Sequence, residues 1–233
     1  MLKKDLILRN PLSFLGDKSK TLLHPGEFGA ISARAGVGKT AFIVQLSLHS
    51  LLQNHSVLHI SLNEPISKVS LWYQEVFQHL TPQYNVEQMQ QLWDTIIPYR
   101  FIMTFNTEGF LVATLEERLT DLKEQNIFSP RLIIIDGFPF DHARQEELRN
   151  LRSLSQKYAS PIWFTIRTHR TQPADVEESP SSLKQLDELF SMIIQLQPQS
   201  DEIFVKVIKG TPAPKDDRQL FLDPSTMLIK DKS

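Results

Sequence analysis

The stretch from 26 to 52, GEFGAISARAGVGKTAFIVQLSLHSLL, constrains the fold more than any other part of the chain. GEFGAISA (26–33) is a short apolar run of strand type, ARAGVGKT (33–40) is a glycine-bearing loop, and in TAFIVQLSLHSLL Phe42, Leu46 and Leu48 to Leu52 recur at helical spacing. Strand, loop and helix in that order describe one unit of a layered α/β protein, in which a strand must find parallel neighbours and a helix must cover them.

The rest of the chain repeats the alternation. SVLHISL (56–62) reads as a strand, and SKVSLWYQEVFQHL and VEQMQQLWDTIIPY read as two helices broken at Pro82 and Gln83. RFIMTF (100–105) is a further strand, followed by LVATLEERLTDLKEQN, an amphipathic helix with Leu111, Leu115, Leu119 and Leu122 on one face. RLIIID (131–136) has the continuous apolar character of a buried parallel strand, and a polar helix at about 141–158 leads into PIWFTI. THRTQPADVEESPSS has the composition of a long loop, after which SMIIQL, EIFVKVI and RQLFLD are strand-like runs, the last two forming a hairpin around GTPAPKDD. These patterns predict one α/β domain over 1–233 with a mainly parallel, twisted sheet flanked by helices and a C-terminal antiparallel hairpin.

Composition removes several function classes. The chain has no cysteine, which excludes disulfide frameworks and thiolate chemistry and points to a reducing, cytoplasmic compartment. With 25 basic against 27 acidic residues there is no overall positive field to draw nucleic acid or an anionic membrane. The apolar run in MLKKDLIL is interrupted by Arg9 and Asn10 before a signal-peptide core forms, and no run reaches the length of a membrane span.

The loop at 33–40 carries the chemistry. A loop between a strand and a helix can aim successive backbone N–H groups and the positive end of the helix dipole at a phosphate chain, and Gly36 and Gly38 permit the close approach this needs. Ala33, Arg34, Ala35, Gly36, Val37, Gly38, Lys39, Thr40 and Ala41 are therefore the candidate nucleotide-binding residues. Lys39 places positive charge at the β and γ phosphates, and the Thr40 hydroxyl is a candidate magnesium ligand. The strict pattern has glycine where this chain has Ala33.

Two carboxylates complete the constellation. LIII ending in Asp136 carries one acid out of the core at the C-terminal end of a strand, where it can hold magnesium-bound water. In SLNEP (61–65), Glu64 is placed to orient or deprotonate the water that attacks the γ-phosphate, or else it caps the following helix, with Pro65 in the first turn.

Taken in order, HPGEFGAISARAGVGKT, VLHISLNEP, RLIIIDG, PIWFTIRTHR and EIFVKVIKGTPAPKDDRQLFLD resemble the RecA-like P-loop ATPases, in the branch that holds DnaB-type replicative helicases and KaiC-type clock ATPases. The resemblance implies a RecA-like core with a Walker A loop, ATP and Mg2+ as cofactors, and Lys39, Thr40 and Asp136 as nucleotide and metal residues. Glu64 matches the second of two neighbouring acids of the clock-type proteins. Helicase-type members carry their catalytic glutamate directly after the Ser-Leu pair, where this chain has Asn63. They also use a basic pair that reaches a neighbour's γ-phosphate; Lys209 matches the first of these, and Thr211 stands at the second, with Arg218 further on. Their DNA-contacting loop corresponds to the region of Arg167, His169 and Arg170, where Asp175, Glu177 and Glu178 offset the charge.

Three readings follow: an ATPase that hydrolyses slowly at subunit boundaries of a ring or filament, a nucleotide-dependent regulatory or scaffold module read by a protein partner, and a DNA-dependent motor. Trp72, Tyr73, Phe77 and Trp93 either fill the core or form an aromatic face for such a partner.

Overall fold

The computed structural model describes residues 2–8, 22–106, 109–140, 145–168, 187–199, 201–210 and 219–232. A short helix α1 (Leu2–Leu8) precedes strand β1 (Phe28–Ala33), helix α2 (Lys39–Leu52) and strand β2 (Val57–Ser61). Helices α3 (Ile66–Leu80) and α4 (Val86–Ile96) lead to β3 (Arg100–Thr104), then α5 (Val112–Glu124), β4 (Leu132–Asp136), α6 (Gln145–Lys157) and β5 (Ile162–Arg167). The chain ends in four neighbouring strands, β6 (Phe190–Gln199), β7 (Glu202–Lys209), β8 (Gln219–Leu222) and β9 (Ile229–Lys232).

Among the described residues the nine strands join one sheet in the order β3-β2-β4-β5-β1-β6-β7-β8-β9. The six strands from β3 to β6 run parallel, and β7, β8 and β9 add antiparallel pairings. The structure is thus α/β with a mostly parallel mixed sheet. EIFVKVI and RQLFLD pair as expected, Ile203 opposite Leu222 and Val205 opposite Leu220. The antiparallel region is wider than that hairpin, because β6 flanks it on one side and β9 on the other.

Alternation along the strands divides the interior in two. Val57, Ile134 and Trp163 face one core with α2, α3 and α4, whereas Leu58, Ile133, Ile135 and Phe164 face the other with α5 and α6. The chain progresses from β1 to β3 with its helices on the first face and returns through β4 to β5 with its helices on the second. Reversing direction together with face keeps one handedness for the crossovers between β1 and β5.

Helix α2 is apolar nearly all round because it lies between the sheet and α3, and Phe42, Ile43, Val44, Leu48 and Leu51 are fully buried. Truncating Phe42 to alanine at such a site costs about 3–5 kcal/mol. Helix α4 starts with a capping box: the Asn85 side chain accepts from Gln88 N at 2.8 Å while the Gln88 side chain accepts from Asn85 N at 3.3 Å.

One expectation changes and one open choice is settled. Leu115 and Leu119 are fully buried, but Leu111 is 58% exposed, because it is the extended N-cap of α5 and so lies outside the helical spacing. Tyr73 and Phe77 belong to the core, and Trp72 and Trp93 pack against it half-buried, with Phe77 and Trp93 ring centroids 5.0 Å apart. These aromatics fill the interior rather than present a face. Among the described residues no helix is long and apolar enough to cross a membrane.

Candidate functional site

Because β1, β2, β4 and β5 are parallel, their C-terminal ends open onto one edge of the sheet, where loops can converge on a ligand. From that edge β1 enters the loop 34–38. Gly36 has φ +78° with open space where a side chain would begin, and Gly38 has φ +102° as the N-cap of α2. Helix α2 has no side-chain cap and no acid in its first turn, so its leading N–H groups and dipole remain for an anion.

Lys39 opens the helix. Its ammonium donates to Ala33 O at 3.1 Å and Arg34 O at 2.9 Å, which ties the positive charge across its own loop. Burial lowers the Lys39 pKa, Asp136 opposes that shift, and Arg167 adds to it. Arg167 is exposed at the end of β5 in register with Ala33, and the next residue, Thr168, donates its N–H to Ala33 O at 3.0 Å.

Thr40 and Asp136 come together: the Thr40 hydroxyl donates to Asp136 Oδ2 at 3.0 Å. The other carboxylate oxygen, Oδ1, accepts from the Thr165 hydroxyl at 2.5 Å, and Thr165 Oγ1 accepts from Gly137 N at 2.9 Å. Thr40 and Asp136 supply hard oxygens of the kind magnesium takes, but two side chains are too few for its six-coordinate shell. Among the described residues no group of three or more His, Asp or Glu forms a metal cluster. A magnesium ion here would draw its other oxygens from a bound phosphate chain and water. The open cradle at Gly36, the uncapped helix and the adjoining threonine and carboxylate all fit such a ligand.

Glu64 and Asn63 are placed differently from one another. Ser61 Oγ accepts from Glu64 N at 3.0 Å and donates to Glu64 O at 2.9 Å, which fixes the turn after β2. The Glu64 carboxylate accepts from Lys68 Nζ at 2.8 Å, both side chains half-exposed, and the N-cap of α3 is Pro65 without a side-chain bond. Glu64 therefore neither caps α3 nor hydrogen-bonds to the Thr40, Asp136 and Thr165 cluster. Asn63 lies against the backbone next to Asp136: a methyl group placed on Gly137 would meet Asn63 Nδ2 at 2.0 Å.

Lys209 ends β7 opposite Ile193, and Ile193 in turn pairs with Ala30 in the middle of β1. Strand β7 runs antiparallel to β6, so Lys209 lies towards the sheet edge away from the loop 34–38 and is not brought to the site of its own chain. His169, Arg170, Asp175, Glu177, Glu178, Thr211 and Arg218 lie outside the described residues.

Sequence reasoning missed two contributors. Thr165 is a polar residue within the apolar run PIWFTI, a signal that marks it without revealing its partner. Gln45 is a buried polar residue in α2 that clamps the C-terminal strands: it donates to Met227 O at 2.6 Å and accepts from Ile229 N at 2.9 Å. That clamp sets Leu222 and Met227 beside Gly38. No protein-family model matches the chain, and no curated protein matches it significantly.

Proposed function

We propose that this chain is a magnesium-dependent ATP-binding protein with a RecA-like core and slow ATP hydrolysis. The observation that carries the reading is the conjunction at one sheet edge of the glycine loop, the uncapped N-terminus of α2 and the Thr40–Asp136 pair. The ordered series of segments similar to DnaB-type and KaiC-type proteins supports it from the sequence side.

In this reading the N–H groups of 36–41 bind the β and γ phosphates. Lys39 exchanges its contacts with Ala33 O and Arg34 O for phosphate oxygens, which places its charge where negative charge develops in phosphoryl transfer. Thr40 and Asp136 would hold a magnesium ion, which would supply neutralisation of phosphate charge. Glu64 serves as the water-orienting group only if it leaves Lys68. Lys209, remote from its own loop, acts on a neighbouring copy in a ring or filament.

The second reading, a regulatory or scaffold module in which bound ATP holds a conformation for a protein partner, is favoured by one observation. The side chain packed against the Gly137 backbone, next in sequence to Asp136, is the amide Asn63, which cannot take a proton from water, while the acid Glu64 is paired with Lys68. Steady-state hydrolysis with magnesium, with and without single-stranded DNA, separates the readings. Slow turnover indifferent to DNA supports the ATPase, and binding without turnover supports the module. Stimulation by DNA would replace both with the motor.

A further inference from the structure

We infer that Thr165 is a positioning residue for the metal-binding carboxylate, orienting Asp136 so that one oxygen is reserved for Thr40 and the cation. The inference rests on the ATP and magnesium reading of the site and concerns which residue makes the carboxylate competent.

The sheet order makes the contact possible. Strand β5 lies between β4 and β1, and Ile135 pairs with Phe164, so Asp136 and Thr165 are the next residues on adjacent strands and project to the same face. Thr165 is 3% exposed, and its hydroxyl has a single proton. Gly137 N–H fills one lone pair of that oxygen at 2.9 Å, which directs the proton to Asp136 Oδ1 at 2.5 Å. A short O–H···O⁻ bond of this kind is charge-assisted and stronger than a neutral one.

The consequence is a division of labour within one carboxylate. Oδ1 is committed to β5, and Oδ2 faces Thr40, whose own proton is donated to it at 3.0 Å. With its proton so directed, Thr40 has its lone pairs left to turn towards a cation. The Gly137 N–H holds the buried Thr165 hydroxyl in this orientation before any ligand arrives. Residues of this second layer commonly govern metal affinity about 10–100-fold without touching the metal.

The test is equilibrium binding of ATP to the full chain in EDTA and across a magnesium titration, for the parent, Thr165→Ser, Thr165→Val and Thr165→Ala. Thr165→Ser, which keeps the hydroxyl, is expected to match the parent. Thr165→Val and Thr165→Ala are expected to keep the parental Kd in EDTA while needing at least about ten-fold more magnesium for half of the magnesium-dependent gain. Thr165→Ala carries the comparison if the valine variant does not fold. A hydroxyl-free variant that reaches half its gain at the parental magnesium concentration overturns the inference, as does one that weakens in EDTA as much as in magnesium. A parent that gains nothing from magnesium overturns the reading of the site itself, and the inference with it.

Discussion

The Thr40 hydroxyl donates to Asp136 Oδ2 at 3.0 Å, joining residues 96 positions apart in sequence, one on the loop helix and one at the end of a buried strand. The bond couples the helix that follows the glycine loop to the neighbouring strands through one carboxylate. Asp136→Asn keeps the shape but replaces one accepting oxygen by a donating NH2, which must oppose the proton of Thr40 or of Thr165. The expected outcome is loss of the magnesium-dependent part of ATP binding with ATP binding in EDTA retained, measured by titration under both conditions.

The two loop glycines are unequal. Gly36 is left-handed with nothing within 4 Å of an added Cβ, so Gly36→Ala carries only conformational strain, about 1–2 kcal/mol. At Gly38 an added Cβ would lie 2.6 Å from Leu222 Cδ2, and overpacking adds about 1–3 kcal/mol to the strain. Urea unfolding is expected to rank Gly38→Ala as clearly the less stable variant; equal stabilities would mean that β8 does not press on the loop.

Glu64 and Lys68 form an i,i+4 pair on a solvated surface, so breaking it changes stability by at most about 0.5 kcal/mol. Its effect on turnover is expected to be larger. Glu64→Gln should retain ATP binding and abolish hydrolysis, and Lys68→Ala, which frees the carboxylate, should raise hydrolysis above the parental rate. Parental turnover in Glu64→Gln would remove Glu64 from the mechanism.

His59 is fully buried on β2, bonded through Nδ1 to the Tyr73 hydroxyl at 3.0 Å, with no partner for Nε2. Burial lowers its pKa from 6.5 to about 4, with Arg100 adding to the shift and Asp136 opposing it. The unfolded chain therefore binds a proton at this residue that the folded chain refuses, and the stabilisation is present above about pH 6.5 and lost as pH falls towards 4. The loss amounts to about 3 kcal/mol at full effect. His49 and His55 are lowered too, so the difference between the parent and His59→Gln isolates this histidine. The variant is expected to lose less stability than the parent between pH 7 and pH 4 in chemical denaturation.

Much of the sheet is legible in the sequence because parallel strands covered on both faces read as continuous apolar runs, as in LIII before Asp136 and in PIWFTI. The glycine loop is legible because a strand and an apolar helix flank it. What is not legible depends on neighbours fixed by topology. Thr165 meets Asp136 only because β5 lies beside β4, and no local pattern specifies that order. Glu64 turns to Lys68 once α3 begins at Ile66 and puts the two residues one turn apart. Leu222 reaches Gly38 through the Gln45 clamp on Met227 and Ile229, a contact between opposite ends of the chain.

In the proposed function, nucleotide binding depends most directly on Lys39. Its ammonium is tied across the loop to Ala33 O and Arg34 O, and Lys39→Ala removes that charge from the first turn of α2. The decisive measurement is a calorimetric titration of ATP with magnesium into the parent chain and into Lys39→Ala. Saturable binding by the parent and none by Lys39→Ala at the same concentrations is the expected result; tight binding retained by Lys39→Ala, or no binding by the parent, would contradict the assignment of the loop at 33–41 to the phosphates.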